Sequence, residues 1–223
     1  MWGGYPGQSG GSALADILSG KAAPAGRLPT TQYPSEYVDQ VPMTDMTLRP
    51  SNKSPGRTYK WYTGNPVYEF GHGLHYTTFN LTWKQEPASV YQTSRMPIQS
   101  KKKADLETFD TFEVAVENTG NKTSDYVALL FLTSTGGPAP LPKKELVAYT
   151  RLHDLKPGTK ATAALKVTIG SLARADEKGN FWVYSGSYKL TVDTGSAASL
   201  IHTFEVKGDS VQISEWPQDP AYK

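Results

Sequence analysis

The chain has 223 residues, a net charge of +2 and 38% hydrophobic residues, which is typical of a soluble globular protein with enough apolar material for one large or two small domains. Its positive charges are dispersed apart from three lysines at 101–103, which lie in a polar stretch, so nucleic-acid binding is not expected. The absence of Cys excludes disulfide bonds, cysteine zinc sites and thiol nucleophiles.

Residues 1–30 are rich in Gly and Pro and predict one short helix at 12–19. The apolar face of this helix consists of Leu14, Ile17 and Leu18. Ser9 or Ser12 can cap its start, and Gly20 stands where a left-handed C-terminal cap is favoured. The sequence around Met1 resembles the middle of a folded element, so we expect the chain to be part of a longer protein.

Residues 31–75 predict a long, irregular connecting arm, because nine prolines or glycines occur there in no regular pattern. A single amphipathic helix and an arm of this kind cannot bury their own apolar side chains. We therefore expect residues 1–75 to pack against a larger body of protein.

From residue 76 the hydrophobic pattern changes to a period of two, which is typical of β-strands. Strands are predicted at 76–83, 112–116, 127–132, 146–151, 161–169, 181–184, 188–193 and 200–206. Turn residues separate them, and so many short strands predict a mainly β fold, with an immunoglobulin or fibronectin III-like sandwich at 76–207. We interpret 85–106 as a polar insertion and 208–223 as a tail that is loose or lies on the surface.

The pentapeptide at 7–11, Gly-Gln-Ser-Gly-Gly, matches the G-x-S-x-G pattern of serine hydrolases. In that interpretation Ser9 is the nucleophile, His72 or His75 is the base and Asp45 orients the base. The pattern requires a buried strand before the serine, whereas a Gly- and Pro-rich stretch precedes it here. A serine hydrolase therefore stays a remote alternative.

Glycoside hydrolysis requires two carboxylates on either side of one bond. The acidic residues of the first 75 positions occur singly, at Asp16, Glu36, Asp39, Asp45 and Glu69. His72 and His75 have too few neighbouring ligands for a metal site, and we expect packed, hydrogen-bonded histidines. Since the glycines also lack the spacing of a phosphate-binding loop, neither a metal nor a cofactor is predicted.

Three N-glycosylation acceptor triplets begin at Asn52, Asn80 and Asn121. Their number favours a secreted glycoprotein in which these asparagines lie at the surface. No stretch of sequence approaches the length and apolarity of a membrane span, so a membrane is not an expected partner.

Several motifs together resemble the C-terminal part of family 3 glycoside hydrolases. The segments at 2–11, 13–20 and 24–29 are similar to the end of that family's second α/β domain, with Gly7, Gly10 and Gly11 as structural glycines. The segments at 56–59 and 68–76, with Gly71 and Gly73, resemble the arm that leads into its fibronectin III-like domain. The stretches at 41–50 and 57–62 are similar to the fungal β-xylosidase branch.

This resemblance implies retaining hydrolysis of terminal β-1,4-linked xylose from xylo-oligosaccharides by a secreted enzyme. It places the catalytic Asp on an N-terminal barrel and the catalytic Glu in the α/β domain, both upstream of Met1, so no catalytic residue is assigned to this chain. Its partners are then those two domains, and its role is structural. An alternative is a separate carbohydrate-binding sandwich that presents Trp182, Tyr184 and Tyr188 to sugars.

Overall fold

The computed structural model describes residues 1, 3–98, 103–193 and 199–216. Trp2, most of the lysine run and the last seven residues of the predicted tail lie outside the described residues. The helices are α1 (Gly10–Leu18), α2 (Tyr37–Gln40), α3 (Thr58–Trp61) and α4 (Ile169–Leu172), with 3-10 turns at Thr93–Arg95 and Ala104–Leu106. Among these residues no helix is long and apolar enough to span a membrane.

Eleven strands are described, and most agree with the predicted positions. They are β1 (Phe79–Trp83), β2 (Val90–Gln92), β3 (Thr108–Asn118), β4 (Ser124–Ser134), β5 (Glu145–Leu155), β6 (Lys160–Thr168), β7 (Ala173–Ala175), β8 (Phe181–Val183), β9 (Gly186–Val192), β10 (Leu200–Lys207) and β11 (Val211–Ser214).

Helix α1 is close to its predicted position but starts two residues earlier. Ser9 occupies the N-cap position without a capping side-chain hydrogen bond. The hydroxyl of Ser12 donates to the Ser9 carbonyl (2.8 Å), so the capping role suggested for Ser12 is wrong. Gly20 adopts a φ of +75° and donates its N–H to the Ile17 carbonyl (3.0 Å), which confirms the left-handed end of the helix.

The strands form two main sheets that pack face to face. One has the order β1-β3-β6, the other has the order β2-β10-β9-β4-β5, and a small third sheet has the order β11-β8-β7. The inward residues of both main sheets make one core, in which Val114 and Val116 of β3 face Leu130 of β4 and Leu190 of β9, all fully buried. This arrangement confirms the predicted mainly β sandwich.

Three parts of the sheets lie where the sequence predicts no strand. β7 is one of them and pairs with β8. β11 lies within the predicted tail, yet it pairs with β8 and its Ile213 is fully buried in the core. β2 lies within the predicted polar insertion and pairs in parallel with β10. These segments are only three or four residues long, and a pattern so short cannot be distinguished from a loop by periodicity.

Part of the arm buries its own apolar side chains, contrary to the expectation from the sequence. Tyr37, Val41 and Tyr62 are buried together in a small core of their own, and Tyr33 packs against them. The rings of Tyr33 and Tyr37 stack at 3.9 Å, and Tyr62 meets both edge-on. The expectation that the arm forms no core is therefore wrong for this part of it.

Candidate docking surface

The residues of the suggested serine-hydrolase site are not assembled. Ser9 is exposed at the start of α1, and no hydrogen bond within the described residues joins it to either histidine. His72 packs against Tyr68, His75 stacks on Tyr126, and Asp45 accepts two hydrogen bonds from Thr47. The G-x-S-x-G match therefore reflects a glycine-rich turn before a helix.

The acidic side chains of the first 75 residues do not form a catalytic pair. Asp16 pairs with Lys21 at 3.0 Å, and Glu69 pairs with Lys144 at 2.6 Å. The Thr47 hydrogen bonds hold the pKa of the Asp45 carboxyl below its usual range. In the described part of the chain, no cluster of three His, Asp or Glu side chains is suited to a metal ion.

The aromatic side chains proposed for sugar binding serve the sandwich itself. Tyr188 is 1% exposed and donates its hydroxyl to the Tyr184 carbonyl (2.6 Å), so its ring cannot face a ligand. Trp182 is half-buried and donates its indole N–H to Asp176 (3.0 Å). The geometry gives no support to a carbohydrate platform made of these rings.

A buried ionic cluster fastens the segment that precedes the arm to the sandwich. The Arg27 Nη2 atom lies 2.5 Å from Oδ2 of Asp193 and 3.0 Å from the Val127 carbonyl. The exposed fractions of the Arg27 and Asp193 side chains are 5% and 0%. Tyr126 donates its hydroxyl to the same carboxylate oxygen (2.7 Å), and burial beside this carboxylate raises the pKa of Tyr126.

His75 extends this cluster towards β1. Its ring stacks on Tyr126 with centroids 5.7 Å apart and meets Phe79 edge-on at 5.0 Å. Burial and the nearby Arg27 guanidinium hold the pKa of His75 below its usual range. His75 is packed as predicted, but both of its ring nitrogens are buried without a well-formed hydrogen bond among the described residues, so the hydrogen bonds predicted for it are not observed. With its lowered pKa, His75 is placed to be neutral in the folded chain.

The last part of the arm covers the outer face of β4. Tyr59 and Phe70 stack at 4.3 Å, and both meet Phe131 of β4 edge-on at 6.1 Å. Lys144 lies over the Phe131 ring at 5.1 Å while it pairs with Glu69. Phe131 is consequently 1% exposed although it points away from the core between the two main sheets.

The five structural glycines differ in how much their surroundings require glycine. A Cβ atom on Gly10 would lie 2.3 Å from Cβ of Pro6, and one on Gly73 would lie 2.7 Å from the Gly26 carbonyl oxygen. Gly71 has a positive φ and donates its N–H to the Leu28 carbonyl (2.8 Å). Gly7 and Gly11 have open space around them in this chain.

Much of the apolar surface in the described residues is concentrated on the front third of the chain. Eleven of the eighteen exposed large hydrophobic side chains lie in residues 1–76, including Tyr5, Leu18, Met43 and Met46. Met43 and Met46 are 91% and 84% exposed. Single exposed apolar residues are ordinary, but this concentration makes the front third of the chain a candidate docking surface.

The two methionines lie on a loop of fixed shape, residues 42–49, called the methionine loop below. The Arg57 guanidinium donates to the carbonyls of Pro42 (3.2 Å) and Asp45, and the Arg57 N–H donates to the Leu48 carbonyl (2.8 Å). The loop is thus held from within by polar groups while its methionines point outward. A surface shaped before binding loses little conformational freedom when a partner covers it.

The three predicted glycosylation asparagines are all exposed. Asn80 lies on β1, at the edge of its sheet, and Asn121 lies in the turn between β3 and β4. Asn52 lies in a tight turn closed by a bridge between Ser51 and Ser54. Each position leaves space for an attached sugar chain.

Two family models match the chain. Residues 1–76 match the glycosyl hydrolase family 3 C-terminal domain, and residues 126–196 match the fibronectin type III-like domain. The first match contains α1 and the arm, and the second begins within β4 and extends past the end of β9.

The similar proteins are several times longer than this chain. It is 51% identical over 223 residues to a probable exo-1,4-β-xylosidase of Aspergillus fumigatus, covering 99% of this chain and 29% of that protein. It is 49% identical to an exo-1,4-β-xylosidase of Emericella nidulans, covering 28% of that protein. The chain thus spans less than a third of the length of these curated relatives.

Solved structures of longer proteins also match this chain over part of their length. A GH3 exo-β-xylosidase in complex with a xylobiose aziridine activity-based probe matches with a TM-score of 0.90 and 49% identity, over 98% of this chain and 29% of that one. A β-D-glucoside glucohydrolase from Trichoderma reesei matches with a TM-score of 0.69 and 28% identity, over 92% of this chain and 30% of that one. Together with the domain matches at 1–76 and 126–196, these similarities show that the chain contains a glycosyl hydrolase family 3 C-terminal domain and a fibronectin type III-like domain and corresponds to the C-terminal part of longer family 3 proteins.

Proposed function

We propose that this chain is the C-terminal supporting portion of an exo-acting β-xylosidase that releases terminal β-1,4-linked xylose from xylo-oligosaccharides. The observation that carries this proposal is the difference in identity between two groups of relatives. Identity is 51% to a probable exo-1,4-β-xylosidase, but 28% to a solved glucoside glucohydrolase. That difference supports a sugar preference of the xylose type.

In this proposal the catalytic Asp and Glu belong to polypeptide that precedes the matched region in the longer relatives. The described carboxylates of this chain support that division, because Asp16 and Glu69 are in ion pairs and Asp193 is buried against Arg27. A retaining glycosidase needs its two carboxyl groups about 5 Å apart across one bond. In this proposal the chain supports the catalytic domains structurally and contributes no catalytic carboxylate.

The methionine loop and the exposed face of α1 are the proposed contact surface for the preceding domains of the same enzyme. Leu18 on α1 is 73% exposed, and Gly10 is the one fully buried residue of that helix. A helix with an uncovered apolar side needs a neighbouring layer to bury it. The α/β domain that is completed by residues 1–30 and the N-terminal barrel provide such neighbours.

A chimera tests the proposed activity. The corresponding 223-residue segment of the A. fumigatus relative is replaced with this chain, and hydrolysis of p-nitrophenyl β-xyloside and p-nitrophenyl β-glucoside is measured. We expect xyloside hydrolysis by the chimera and none by the isolated chain. The control is the same replacement with the E. nidulans segment. An active control beside an inactive, folded chimera would contradict the proposal, as would hydrolysis by the isolated chain.

We also propose that the parent enzyme is extracellular and carries N-linked glycans at Asn52, Asn80 and Asn121. The exposure of all three asparagines supports this proposal. Secretion of the chain from yeast, followed by enzymatic deglycosylation, is expected to lower the apparent mass in steps that single Asn→Gln variants remove one at a time. A secreted chain of unchanged mass would contradict it.

A further inference from the structure

An open hollow lies where the end of the arm meets the turn between β3 and β4. Its volume is about 500 Å³, and residues 75–78 line one side while residues 119–121 line the other. The family 3 domain match ends at residue 76, whereas the turn belongs to the sandwich. The hollow therefore lies at the junction of the two modules.

Hydrogen bonds hold the two sides of the hollow together. The Thr119 N–H donates to the Thr78 carbonyl (2.9 Å), and the hydroxyl oxygens of these two residues lie 3.0 Å apart. Oδ1 of the fully buried Asn118 accepts from the Thr77 hydroxyl (2.7 Å) and from the Gly120 N–H (3.1 Å). A Cβ atom on Gly120 would lie 2.2 Å from the Thr77 hydroxyl oxygen, so the turn lies directly against the arm. A hollow of fixed shape loses little conformational freedom when a ligand enters it.

The groups that line the hollow suit a neutral sugar. Thr78 and Thr119 are exposed, and each hydroxyl is both a donor and an acceptor. Tyr76 is 45% exposed, and its hydroxyl donates to the Ile17 carbonyl (2.8 Å), which fixes the ring beside the hollow. Among the described residues that line it, none is Asp, Glu, Lys or Arg. A pyranose ring with an apolar face and several hydroxyl groups matches an aromatic ring flanked by neutral hydroxyls.

The position of Asn121 supplies such a sugar to the hollow. Of the three acceptor asparagines, all in the described part of the chain, Asn121 lines this hollow. It begins a triplet that ends at Thr123, and all three residues of the triplet are exposed. A sugar joined to Asn121 meets the hollow within the same molecule, at an effective concentration of roughly millimolar or more. Contacts that are too weak to capture a free sugar are therefore sufficient to hold an attached one.

We propose that the hollow is the binding site for the first N-acetylglucosamine of a glycan on Asn121, and that this sugar ties the arm to the sandwich. Its hydroxyl groups pair with the Thr78 and Thr119 hydroxyls, and its apolar face covers the Tyr76 ring. This inference rests on the glycosylation of Asn121 proposed above and gives that glycan a structural role. It is independent of the proposed enzymatic activity.

The first test compares hydrogen exchange in two forms of the complete chain secreted from yeast. One is trimmed with an endoglycosidase that leaves a single N-acetylglucosamine on each glycosylated asparagine, and the other is the Asn121→Gln variant treated in the same way. The reporters are the Thr119 and Gly120 amides, which close the junction. We expect their protection to be roughly twofold to tenfold lower in Asn121→Gln, the factor that corresponds to the net contribution of one hydrogen bond.

Asn52→Gln is the matched control, because its turn is closed by a separate bridge between Ser51 and Ser54, and it should keep the full protection. A chain that carries the sugar on Asn121, as its mass shows, but is protected no better than Asn121→Gln would overturn the proposed seating alone. A secreted chain with no sugar on Asn121 would contradict the proposed glycosylation and remove this occupant.

A second test examines the hollow without cellular glycosylation. Because the chain has no Cys, Asn121→Cys made in bacteria carries a single thiol. Its thiolate displaces iodide from the glycosyl iodoacetamide of N-acetylglucosamine, forming one S–C bond, and plain iodoacetamide gives the sugar-free reference. We expect the attached sugar to raise protection at Thr119 and Gly120 above that reference, and the same pair of adducts on Asn52→Cys to show no difference there. Equal protection in the two adducts of Asn121→Cys would overturn the sugar site.

Discussion

Arg27 and Asp193 are 166 residues apart in sequence, yet their side chains form an ion pair of 2.5 Å from which solvent is almost completely excluded. Arg27 belongs to the segment that matches the family 3 C-terminal domain, and Asp193 follows the last residue of β9 in the sandwich. The pair therefore joins the two modules of the chain through one buried contact, with Tyr126 as a third member.

Replacement of Asp193 by Ala should destabilise the chain by about 3–5 kcal/mol, because it leaves the Arg27 guanidinium buried without its counter-charge. Urea unfolding followed by circular dichroism measures the change. Asp16→Ala is the control, since the Lys21 and Asp16 side chains are 74% and 39% exposed and a surface pair contributes little. Similar losses of unfolding free energy in both variants would show that the buried pair stabilises the chain no more than the surface pair does.

Gly10→Ala should destabilise the chain by about 1–3 kcal/mol, because the added Cβ would overlap the Pro6 ring at 2.3 Å. Gly11→Ala, one position on in α1, meets open space and should be neutral or stabilising by up to about 1 kcal/mol. The free energy of unfolding of each variant is compared with that of the wild type. In the longer enzyme, the same Gly10 change should reduce folded yield more than sugar affinity.

Ile213→Ala should lower the free energy of unfolding by about 2–5 kcal/mol, because Ile213 of β11 is fully buried in the sandwich core. Ile201→Ala provides the same chemical change on β10 at a side chain that is 56% exposed, and should cost far less. Thermal unfolding of the two variants in parallel gives the comparison. A small loss at Ile213 would mean that β11 is not part of the folded unit.

His75 should make the chain less stable in acid. Its pKa in the folded state lies below the value of an unfolded histidine, so the unfolded state binds a proton first as the pH falls. The stability is fully present above about pH 6.5 and declines below it. A His75→Gln variant should show a flatter dependence of unfolding free energy between about pH 5 and 7.5. An unchanged global slope would contradict the role given to His75.

The sequence predicts the long elements well, because their hydrophobic periodicity is strong and local. The alternation at Phe112, Val114 and Val116 places one face of β3 in the core, as the structure shows. Helix α1 and its left-handed Gly20 follow from local chemistry for the same reason. These features depend on residues that are neighbours in the chain.

The contacts that join distant segments could not be predicted in this way. Nothing in the pattern around Arg27 indicates Asp193 as its partner. The same holds for the arm: the continuous apolar run at 127–132 does not reveal that Tyr59 and Phe70 cover the outer side of Phe131. A contact between two residues that are far apart in the chain leaves no periodic pattern in the sequence.

The cover that Tyr59 and Phe70 provide over β4 bears on how members of this family can be recombined. The family 3 domain match ends at residue 76, which suggests a crossover site for grafting one sandwich onto another enzyme. A graft cut there would leave Phe131 and its neighbours uncovered and prone to self-association. The unit to be exchanged therefore begins before Arg27. A graft of that length includes Arg27 and the arm residues Tyr59 and Phe70, which cover the sandwich.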